Sequence, residues 1–259
     1  MSNQQVKSLI FDMDGVLWRG QEPLADLEDV YKKLLEKRYS YAFATNNSTR
    51  HVDQYVQKLN EHGIPAIPDQ IFTSGNVTAE TLKQRHPNGG NVYLIGGQGL
   101  HRTMEDYGFT HTEENPLAVI CGLDIEVTYN KICQAVLLIR SGVPFIGTNP
   151  DRTFPIPEGL APGAGSLLAA IEAATDAKPE IIGKPQPTMF QNAMHHLGTS
   201  PQETLVVGDR RETDIAGGQA AGCQTALILT GVTTEREAKA WRPAPDLIVS
   251  SLYQLLQNL

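Results

Sequence analysis

The sequence lacks the features of a membrane-spanning or exported chain. Among its 259 residues, no stretch approaches about 18 uninterrupted apolar residues, the length that a transmembrane helix needs. At the N-terminus, no basic segment precedes an apolar run, as it would in a secretory signal. We therefore predict a soluble, cytoplasmic protein that does not interact with membranes.

Cysteine is scarce: the chain has three, without Cys-x-x-Cys spacing. Their odd number and wide separation give no sign of a disulfide framework or a metal-binding pair. Free cysteines are usually buried. We therefore predict that Cys121, Cys133 and Cys223 are small, buried apolar residues.

Positive charge is in deficit, with 21 Lys and Arg against 29 Asp and Glu and a net charge of -8. This balance argues against nucleic acids or anionic membranes as partners. An anionic substrate would need local positive charge or a metal ion. With 41% hydrophobic and 19% charged residues, the composition is that of an ordinary globular protein with one large or two modest domains.

Apolar runs of strand length alternate with amphipathic stretches of helix length almost from end to end. The strand candidates are residues 8–11, 41–44, 91–95, 117–121, 144–147, 180–182, 204–207, 225–229 and 246–249. This alternation predicts a parallel α/β sheet. Segments rich in glycine and proline at 86–90 and 153–159 predict irregular structure in mid-chain. We read the middle of the chain as an α/β domain inserted into a core formed by both ends.

The motif Asp12-Met13-Asp14-Gly15 directly follows the apolar run 8–11. Side chains two apart at the end of a strand point the same way, so both carboxylates are expected in one small volume. Such close like charges favour a metal site, a proton-transfer pair, or both. The alternative is an ordinary turn that closes the strand with Asx hydrogen bonds.

Polar residues also follow two later strand candidates, at the edge where open parallel sheets bind ligands. Thr45-Asn46 follows 41–44, and a hydroxyl and a backbone turn there can donate to phosphate oxygens. Its alternative is a plain helix N-cap by a neighbouring polar residue. Lys184 follows 180–182 between a glycine and a proline, where an exposed surface lysine is the commoner alternative.

A fourth strand end carries Gly208-Asp209 and, five residues further on, Asp214. Glycine at 208 permits close backbone approach, and Asp209 lies at the end of the strand. Asp214 opens the next helix. It is expected either to complement that helix's dipole or to lie in the outer shell of a metal site.

These residues, in this order, resemble the four motifs of the haloacid dehalogenase superfamily of phosphatases. The insertion between the second and third motifs resembles the α/β cap of its NagD-like, or p-nitrophenylphosphatase-like, branch. The resemblance implies a doubly wound, Rossmann-like parallel-sheet core at residues 1–75 and 181–259. It also implies an inserted α/β cap domain at residues 76–180.

The resemblance implies a Mg²⁺-dependent phosphatase that works through a phosphoaspartate intermediate. Asp12 would be the nucleophile and Asp14 the general acid/base. Lys184 would counter the charge of the nucleophile and the phosphate. Thr45 and the backbone of Asn46 would hold the phosphoryl oxygens.

The same resemblance implies the ligands of the metal ion. They are the Asp12 carboxylate, the Asp14 backbone carbonyl and the Asp209 carboxylate, with Asp214 orienting a bound water. Mg²⁺ is the expected cofactor because it prefers oxygen ligands and keeps waters in its shell.

The implied substrates are small phosphorylated metabolites such as sugar phosphates, nucleoside monophosphates, phosphoglycolate, pyridoxal phosphate or p-nitrophenyl phosphate. The segment 148–154 is a candidate specificity loop, in which Arg152 would pair with an anionic substrate and Phe154 would pack on a ring or sugar. Its alternative is an ordinary connection containing proline. A homodimer is expected only by analogy with relatives.

Two other functions stay open, and two more are disfavoured. A phosphomutase of the same superfamily would keep the motifs, and a non-catalytic phosphate-binding protein is a further alternative. A dehalogenase in the narrow sense is disfavoured by Asp14 and by the large cap. The run Gly96-Gly97-Gln98-Gly99 lacks the spacing and the later acidic residue of a dinucleotide-binding fingerprint.

Overall fold

The computed structural model describes residues 6–156 and 158–259. The strands, in chain order, are β1 (Ser8–Phe11), β2 (Trp18–Arg19), β3 (Glu22–Pro23), β4 (Ser40–Thr45), β5 (Ile71–Thr73), β6 (Gly90–Ile95), β7 (Phe109–His111), β8 (Val119–Cys121), β9 (Phe145–Gly147), β10 (Thr153–Ile156), β11 (Gly159–Pro162), β12 (Glu180–Ile181), β13 (Thr204–Gly208), β14 (Gln224–Ile228) and β15 (Leu247–Val249). The α-helices are α1 (Leu27–Glu36), α2 (Val52–Glu61), α3 (Ser74–Arg85), α4 (Gln98–Asp106), α5 (Tyr129–Arg140), α6 (Ala164–Thr175), α7 (Thr188–Leu197), α8 (Ala216–Ala220), α9 (Glu235–Ala240) and α10 (Leu252–Asn258).

The chain divides into two compact units. The first holds the chain up to Thr45 together with Asp53–Phe72 and Pro185–Leu259, and the second holds Asn46–Val52 and Thr73–Lys184. The second unit is slightly longer at both ends than the predicted insertion at 76–180 and includes one further segment. That these units act as catalytic core and cap stays a prediction.

The first unit is built on a six-stranded sheet in the order β15-β14-β13-β1-β4-β5. The pairs from β15 to β4 are parallel. From β1 the chain moves to β4 on one side, and it later returns to β13 on the other, so the strand order reverses beside β1. Such a switch point is where open α/β sheets bind ligands, beyond the carboxyl ends of the strands.

The central strands form because their sequences are continuous apolar runs. All residues of β1 and β13 are buried, as expected for parallel strands covered on both faces. In α1, by contrast, only one face is buried, through Leu27, Val30 and Leu34. Asp26 caps this helix by accepting a hydrogen bond from the backbone N–H of Asp29.

The second unit is built on a five-stranded sheet in the order β12-β9-β8-β6-β7. All four of its strand pairs are parallel. Side chains from the sheet and from α5 and α6 form its core, among them Tyr93, Val119, Leu168 and Ile171. The α/β fold class predicted from the alternating pattern is therefore confirmed.

The nine strand predictions are confirmed to within two residues at each end, but the short strands β2, β3, β5, β7, β10 and β11 were not predicted. The strands β5 and β7 have three residues each, too few to show a period. The segment 153–159, predicted to be irregular, begins with β10, which pairs with β11 as an antiparallel ribbon. A two-stranded ribbon has only edge strands, which tolerate proline. Pro157 lies outside the described residues.

The cysteine prediction is correct at two positions and wrong at one. Cys121 and Cys223 are buried, and burial raises the pKa of each thiol to about 12. Cys133 is exposed. It lies on α5 between Tyr129 and Leu137 at intervals of four residues, on a helix face that is turned to solvent.

Within residues 6–156 and 158–259, no helix combines the length and the apolar character that crossing a membrane requires.

Candidate active site

Three carboxylates of the first unit converge at the carboxyl ends of β1 and β13. One oxygen each from Asp12, Asp209 and Asp214 lies within 4.8 Å of the others. The residues are only 8%, 1% and 1% exposed. Three buried like charges so close together are unfavourable without a cation or a proton to offset them. The arrangement therefore has the ligand chemistry of a metal site with oxygen donors only.

Asp12 owes its position to the pairing of β1 with β13. Phe11 lies opposite Val207 in the parallel register, and the backbone N–H of Asp12 donates to the carbonyl oxygen of Val207 at 2.8 Å. The ladder thus continues one residue beyond the strand. It fixes the backbone of Asp12 next to the end of β13.

Asp209 is held by the backbone around it. Its Oδ2 accepts a hydrogen bond from the N–H of Val232 at 2.7 Å. Two glycines make room for the carboxylate: a Cβ at Gly15 would lie 2.7 Å from Oδ2, and a Cβ at Gly231 only 1.8 Å from it. Gly15 also has φ +90°, a conformation that favours glycine.

Asp214 lies on a π-helical turn, Arg211–Ile215, that leads into α8. Its Oδ2 accepts a hydrogen bond from the backbone N–H of Arg210 at 3.0 Å. Asp214 therefore satisfies a backbone donor at the start of the helix, which agrees with the predicted role of complementing the helix dipole. It also belongs to the carboxylate cluster. The two roles proposed for it from sequence are therefore compatible. A Cβ at Gly208 would lie 2.1 Å from the Cβ of Asp214, which explains the glycine.

Asp14 is half-buried, and its carboxylate is not among the three that form the cluster. Its backbone forms an isolated bridge with Trp18, and its Oδ1 accepts a hydrogen bond from the indole Nε1–H of Trp18 at 3.0 Å. The strand alternation assumed from sequence ends at Phe11. The direction of the Asp14 side chain is therefore set by the turn and by Trp18, which the sequence patterns did not single out.

Thr45 is the last residue of β4 and is buried. Asn46 and Lys184 belong to the second unit, where they are joined by two hydrogen bonds. The Nδ2 of Asn46 donates to the carbonyl oxygen of Lys184 at 3.0 Å, and the N–H of Lys184 donates to Oδ1 of Asn46 at 2.9 Å. Lys184 is only 2% exposed. The alternative of a surface lysine is therefore wrong, because this reciprocal pairing holds it in a buried turn.

The backbone oxygen of Asn46 accepts two further hydrogen bonds within the second unit. Ser74 Oγ donates to it at 2.6 Å, and Asn149 Nδ2 donates at 2.7 Å. Asn149 is the second residue of the candidate specificity loop 148–154, so the start of this loop is bound to Asn46. Further along the loop, Arg152 is exposed.

The glycine run at 96–99 has a packing explanation. The N–H of Gly99 donates to the carbonyl oxygen of Thr49 at 3.1 Å. A Cβ at Gly99 would lie 2.4 Å from the backbone carbon of Arg50. The glycine therefore allows α4 to approach the segment Asn46–Val52 within the same unit, and no dinucleotide is needed to explain it.

Comparison with known proteins gives consistent relationships. Two family profiles match the chain, "Haloacid dehalogenase-like hydrolase" at residues 9–110 and "HAD-hydrolase-like" at residues 181–255. The 5'-nucleotidase YutF of Bacillus subtilis is 37% identical over 246 residues, covering 95% of this chain and 96% of the relative. An acid sugar phosphatase of Staphylococcus aureus is 33% identical over 257 residues, covering 99% of both chains. The crystal structure of a 4-nitrophenylphosphatase from Thermotoga maritima superimposes with a TM-score of 0.91 at 35% identity, covering 97% of both chains.

Proposed function

The chain belongs to the haloacid dehalogenase-like hydrolases, in their NagD-like, p-nitrophenylphosphatase-like branch of phosphatases, and we propose that it hydrolyses small phosphomonoesters with Mg²⁺ through a phosphoaspartate on Asp12. The observation that carries this proposal is the buried cluster of Asp12, Asp209 and Asp214 at the switch point of the first sheet. A cluster of this kind suits a metal-assisted reaction of an anionic ester.

The donor set fits Mg²⁺. We propose that the carboxylates of Asp12 and Asp209 and the backbone carbonyl of Asp14 hold the ion, and that Asp214 acts through a water. All of these donors are oxygen, and Mg²⁺ is bound by few carboxylates, waters and substrate phosphate. Bound there, the ion would offset the repulsion between the attacking carboxylate and a phosphate dianion.

In the first half-reaction, a carboxylate oxygen of Asp12 forms a bond to phosphorus while the bond from phosphorus to the leaving oxygen breaks. Asp14 gives its proton to that oxygen, so the alcohol leaves neutral. In the second, a water attacks phosphorus and passes its proton to Asp14. Inorganic phosphate leaves and the Asp12 carboxylate is restored. General acid/base catalysis of this kind is typically worth about 10²- to 10⁴-fold.

For the phosphoryl oxygens we propose the Thr45 hydroxyl and the backbone of Asn46, with the ammonium group of Lys184 countering negative charge. The assignment of the Asn46 backbone is supported by its side chain, both ends of which already bond the backbone of Lys184. The amide thus holds the lysine in place. It is not needed as a phosphate ligand.

The substrate class follows from the relatives. They are named for activity on 5'-nucleotides, on sugar phosphates and on 4-nitrophenyl phosphate, and we propose small phosphorylated metabolites of these types for this chain. Arg152 and Phe154 in the loop 148–154 are our candidates for choosing among them. A cytoplasmic location and a homodimer stay predictions.

The test is a phosphate-release screen of the purified protein with Mg²⁺ against a panel of small phosphate esters, together with the variant Asp12→Asn. We expect the variant to fold, because the amide keeps the shape of the side chain, and to lose turnover, because the nucleophile is gone. The matched control is Asp246→Asn. Asp246 accepts a backbone N–H bond from Thr225 at 2.8 Å, at the opposite end of the same sheet. It should keep wild-type turnover.

Each competing function predicts a different outcome. A phosphomutase would return isomerised ester instead of free phosphate, and a non-catalytic binding protein would bind esters without releasing phosphate. Appreciable activity of well-folded Asp12→Asn would overturn the nucleophile assignment.

A further inference from the structure

The indole of Trp18 is held against the carboxylate of Asp14. Its Nε1–H donates to Oδ1 at 3.0 Å, and the residue is 1% exposed. An indole N–H can only donate, so it holds Oδ1 as an acceptor. A proton on this carboxyl group is therefore directed to the other oxygen, Oδ2.

The backbone between the two residues is closed on itself, which makes their contact a rigid one. The N–H of Gly15 donates to the carbonyl oxygen of Trp18 at 2.8 Å, and the N–H of Leu17 donates to the carbonyl oxygen of Met13 at 2.9 Å. Trp18 then begins β2, which pairs with β3. The turn thus presents the indole to a carboxylate only four residues earlier in the chain.

A buried cation lies over the face of the Trp18 ring. The Nζ of Lys58 lies 3.9 Å from the centre of the Trp18 ring and donates to the carbonyl oxygen of Gly20 at 2.6 Å. Lys58 is 6% exposed, and a cation over an aromatic face is attracted more strongly when it is desolvated. Because Gly20 follows β2, the lysine ties helix α2 both to the indole and to the ribbon that carries it.

We propose that Trp18 is a positioning residue for proton transfer: its N–H orients the Asp14 carboxyl so that Oδ2 faces the leaving group, and Lys58 keeps the indole in place. This inference rests on the proposed function, in which Asp14 is the general acid/base. As the bond from phosphorus to the leaving oxygen breaks, the proton passes from Oδ2 to that oxygen. No additional reactant is involved.

The consequence is a dependence on the leaving group. An alkoxide needs a proton as it leaves, whereas 4-nitrophenolate is stable as an anion and leaves without one. The ratio kcat/KM reports only the steps up to formation of the phosphoenzyme. Misdirecting the Asp14 proton should therefore lower kcat/KM for an alkyl phosphate and leave kcat/KM for 4-nitrophenyl phosphate nearly unchanged.

The experiment compares Trp18→Phe with Asp14→Asn and with Trp241→Phe, each assayed with an alkyl phosphate that the wild type hydrolyses and with 4-nitrophenyl phosphate. Phenylalanine keeps an aromatic ring beneath Lys58 but removes the N–H donor together with part of the ring volume, a loss of volume that Trp241→Phe reproduces. Trp241 is the matched control, since its buried Nε1 has no hydrogen-bond partner among the described residues.

We expect Trp18→Phe to lower kcat/KM for the alkyl phosphate about tenfold, a part of the roughly 10²- to 10⁴-fold that the acid/base group supplies. The value for 4-nitrophenyl phosphate should change less than about twofold. Trp241→Phe should match the wild type with both substrates. Lys58→Met should cause a smaller selective loss of kcat/KM for the alkyl phosphate, and Lys58→Arg should keep kcat/KM near the wild-type value.

The outcomes separate the inference from the function on which it rests. Equal losses on both substrates in Trp18→Phe, or no loss on either, would overturn the positioning role while a selective loss in Asp14→Asn leaves the acid/base role standing. If Asp14→Asn itself shows no preference between leaving groups, the acid/base assignment fails and the inference fails with it. If Trp18→Phe does not fold, Lys58→Met and Lys58→Arg provide the test instead. The quantity compared is then the ratio of kcat/KM for the alkyl phosphate to kcat/KM for 4-nitrophenyl phosphate.

Discussion

Replacing Gly231 by alanine should move Asp209, the proposed metal ligand, without changing any charged group. The added Cβ would lie 1.8 Å from Oδ2 and 2.4 Å from Cβ of Asp209, where ordinary contact begins near 3.4 Å. Gly231 is not among the glycines with positive φ, so its backbone accepts alanine without strain. The carboxylate must therefore move by more than about 1 Å.

That displacement has two separable costs. Oδ2 loses the hydrogen bond from the N–H of Val232, and a hydrogen bond to a charged group is worth about 1.5–3 kcal/mol. Crowding of this kind costs about 1–3 kcal/mol more, so we expect the free energy of unfolding to fall by about 2.5–6 kcal/mol. Mg²⁺ requires oxygen ligands near 2.0–2.1 Å in octahedral geometry. The Mg²⁺ concentration for half-maximal activity should therefore rise at least about tenfold, which corresponds to about 1.4 kcal/mol.

The assay is the Mg²⁺ dependence of phosphate release, with stability followed by urea unfolding and metal binding by calorimetry. The control is Gly198→Ala, at φ +64° with nothing within 4 Å of the added Cβ, which should cost about 1 kcal/mol through the backbone alone. It should keep the wild-type Mg²⁺ requirement. If Gly231→Ala is well folded and needs no more Mg²⁺ than the control, Asp209 is not a metal ligand and the reasoning is wrong. If Gly231→Ala does not fold, Asp209→Asn provides the same test.

Two further predictions concern metal removal and acid. A chelator should abolish phosphate release, and added Mg²⁺ should restore it. At 100 times its Kd, Mg²⁺ should also raise the free energy of unfolding of the wild type by about 2.7 kcal/mol. Asp209→Asn should lack this increase, and an equal increase in that variant would contradict the proposed metal site. Hydrogen bonds from Lys7 to Glu203 and from Thr234 to Glu237 lower the pKa of each carboxyl from its ordinary 4.5 to about 2. Because the unfolded chain takes up these protons first, the stabilisation is complete above about pH 4.5 and is lost as the pH falls toward 2. Urea unfolding across that range should show a shallower loss when both glutamates are replaced by glutamine, and an unchanged slope would refute the assignment.

The long strands and their order along the chain are the part of the fold that the sequence predicts well. Strands buried on both faces, such as β1 and β13, appear as continuous apolar runs, and short helices separate them. The three-residue strands β5 and β7 carry no measurable period. Their structure depends on neighbours that are distant in sequence, which no local pattern can reveal.

The association of Asp12 with Asp209 and Asp214 was implied by the family resemblance, and the fold gives it a physical reason. The carboxyl ends of parallel neighbours meet at one edge, so acidic residues just after β1 and β13 had to lie close together once those strands paired. The pairing is observed, and Asp12, Asp209 and Asp214 do converge. Their catalytic and metal-binding roles stay predictions.

The groups that shape this cluster were not found from sequence. The backbone N–H of Val232 and the space at Gly231 come from a segment without any motif. Lys58 is one of three charged residues on α2, and no local pattern distinguishes it. Trp18 lies next to the first motif, but alternation along β1 stops at Phe11, so the pattern could not tell where the Asp14 carboxylate points. Tertiary contacts decide these positions.

Charge and geometry at the cluster depend on different residues, which makes them separable by experiment. The carboxylates of Asp12 and Asp209 supply charge, and substitution by asparagine removes the charge while keeping the shape. Gly208 and Gly231 supply space, because a Cβ at either position would lie about 2 Å from Asp214 or Asp209. If Mg²⁺ is held by this cluster, both kinds of substitution must weaken its binding, the first through lost attraction and the second through displaced ligands. Buried carboxylates that served only to cap turns would respond in stability alone.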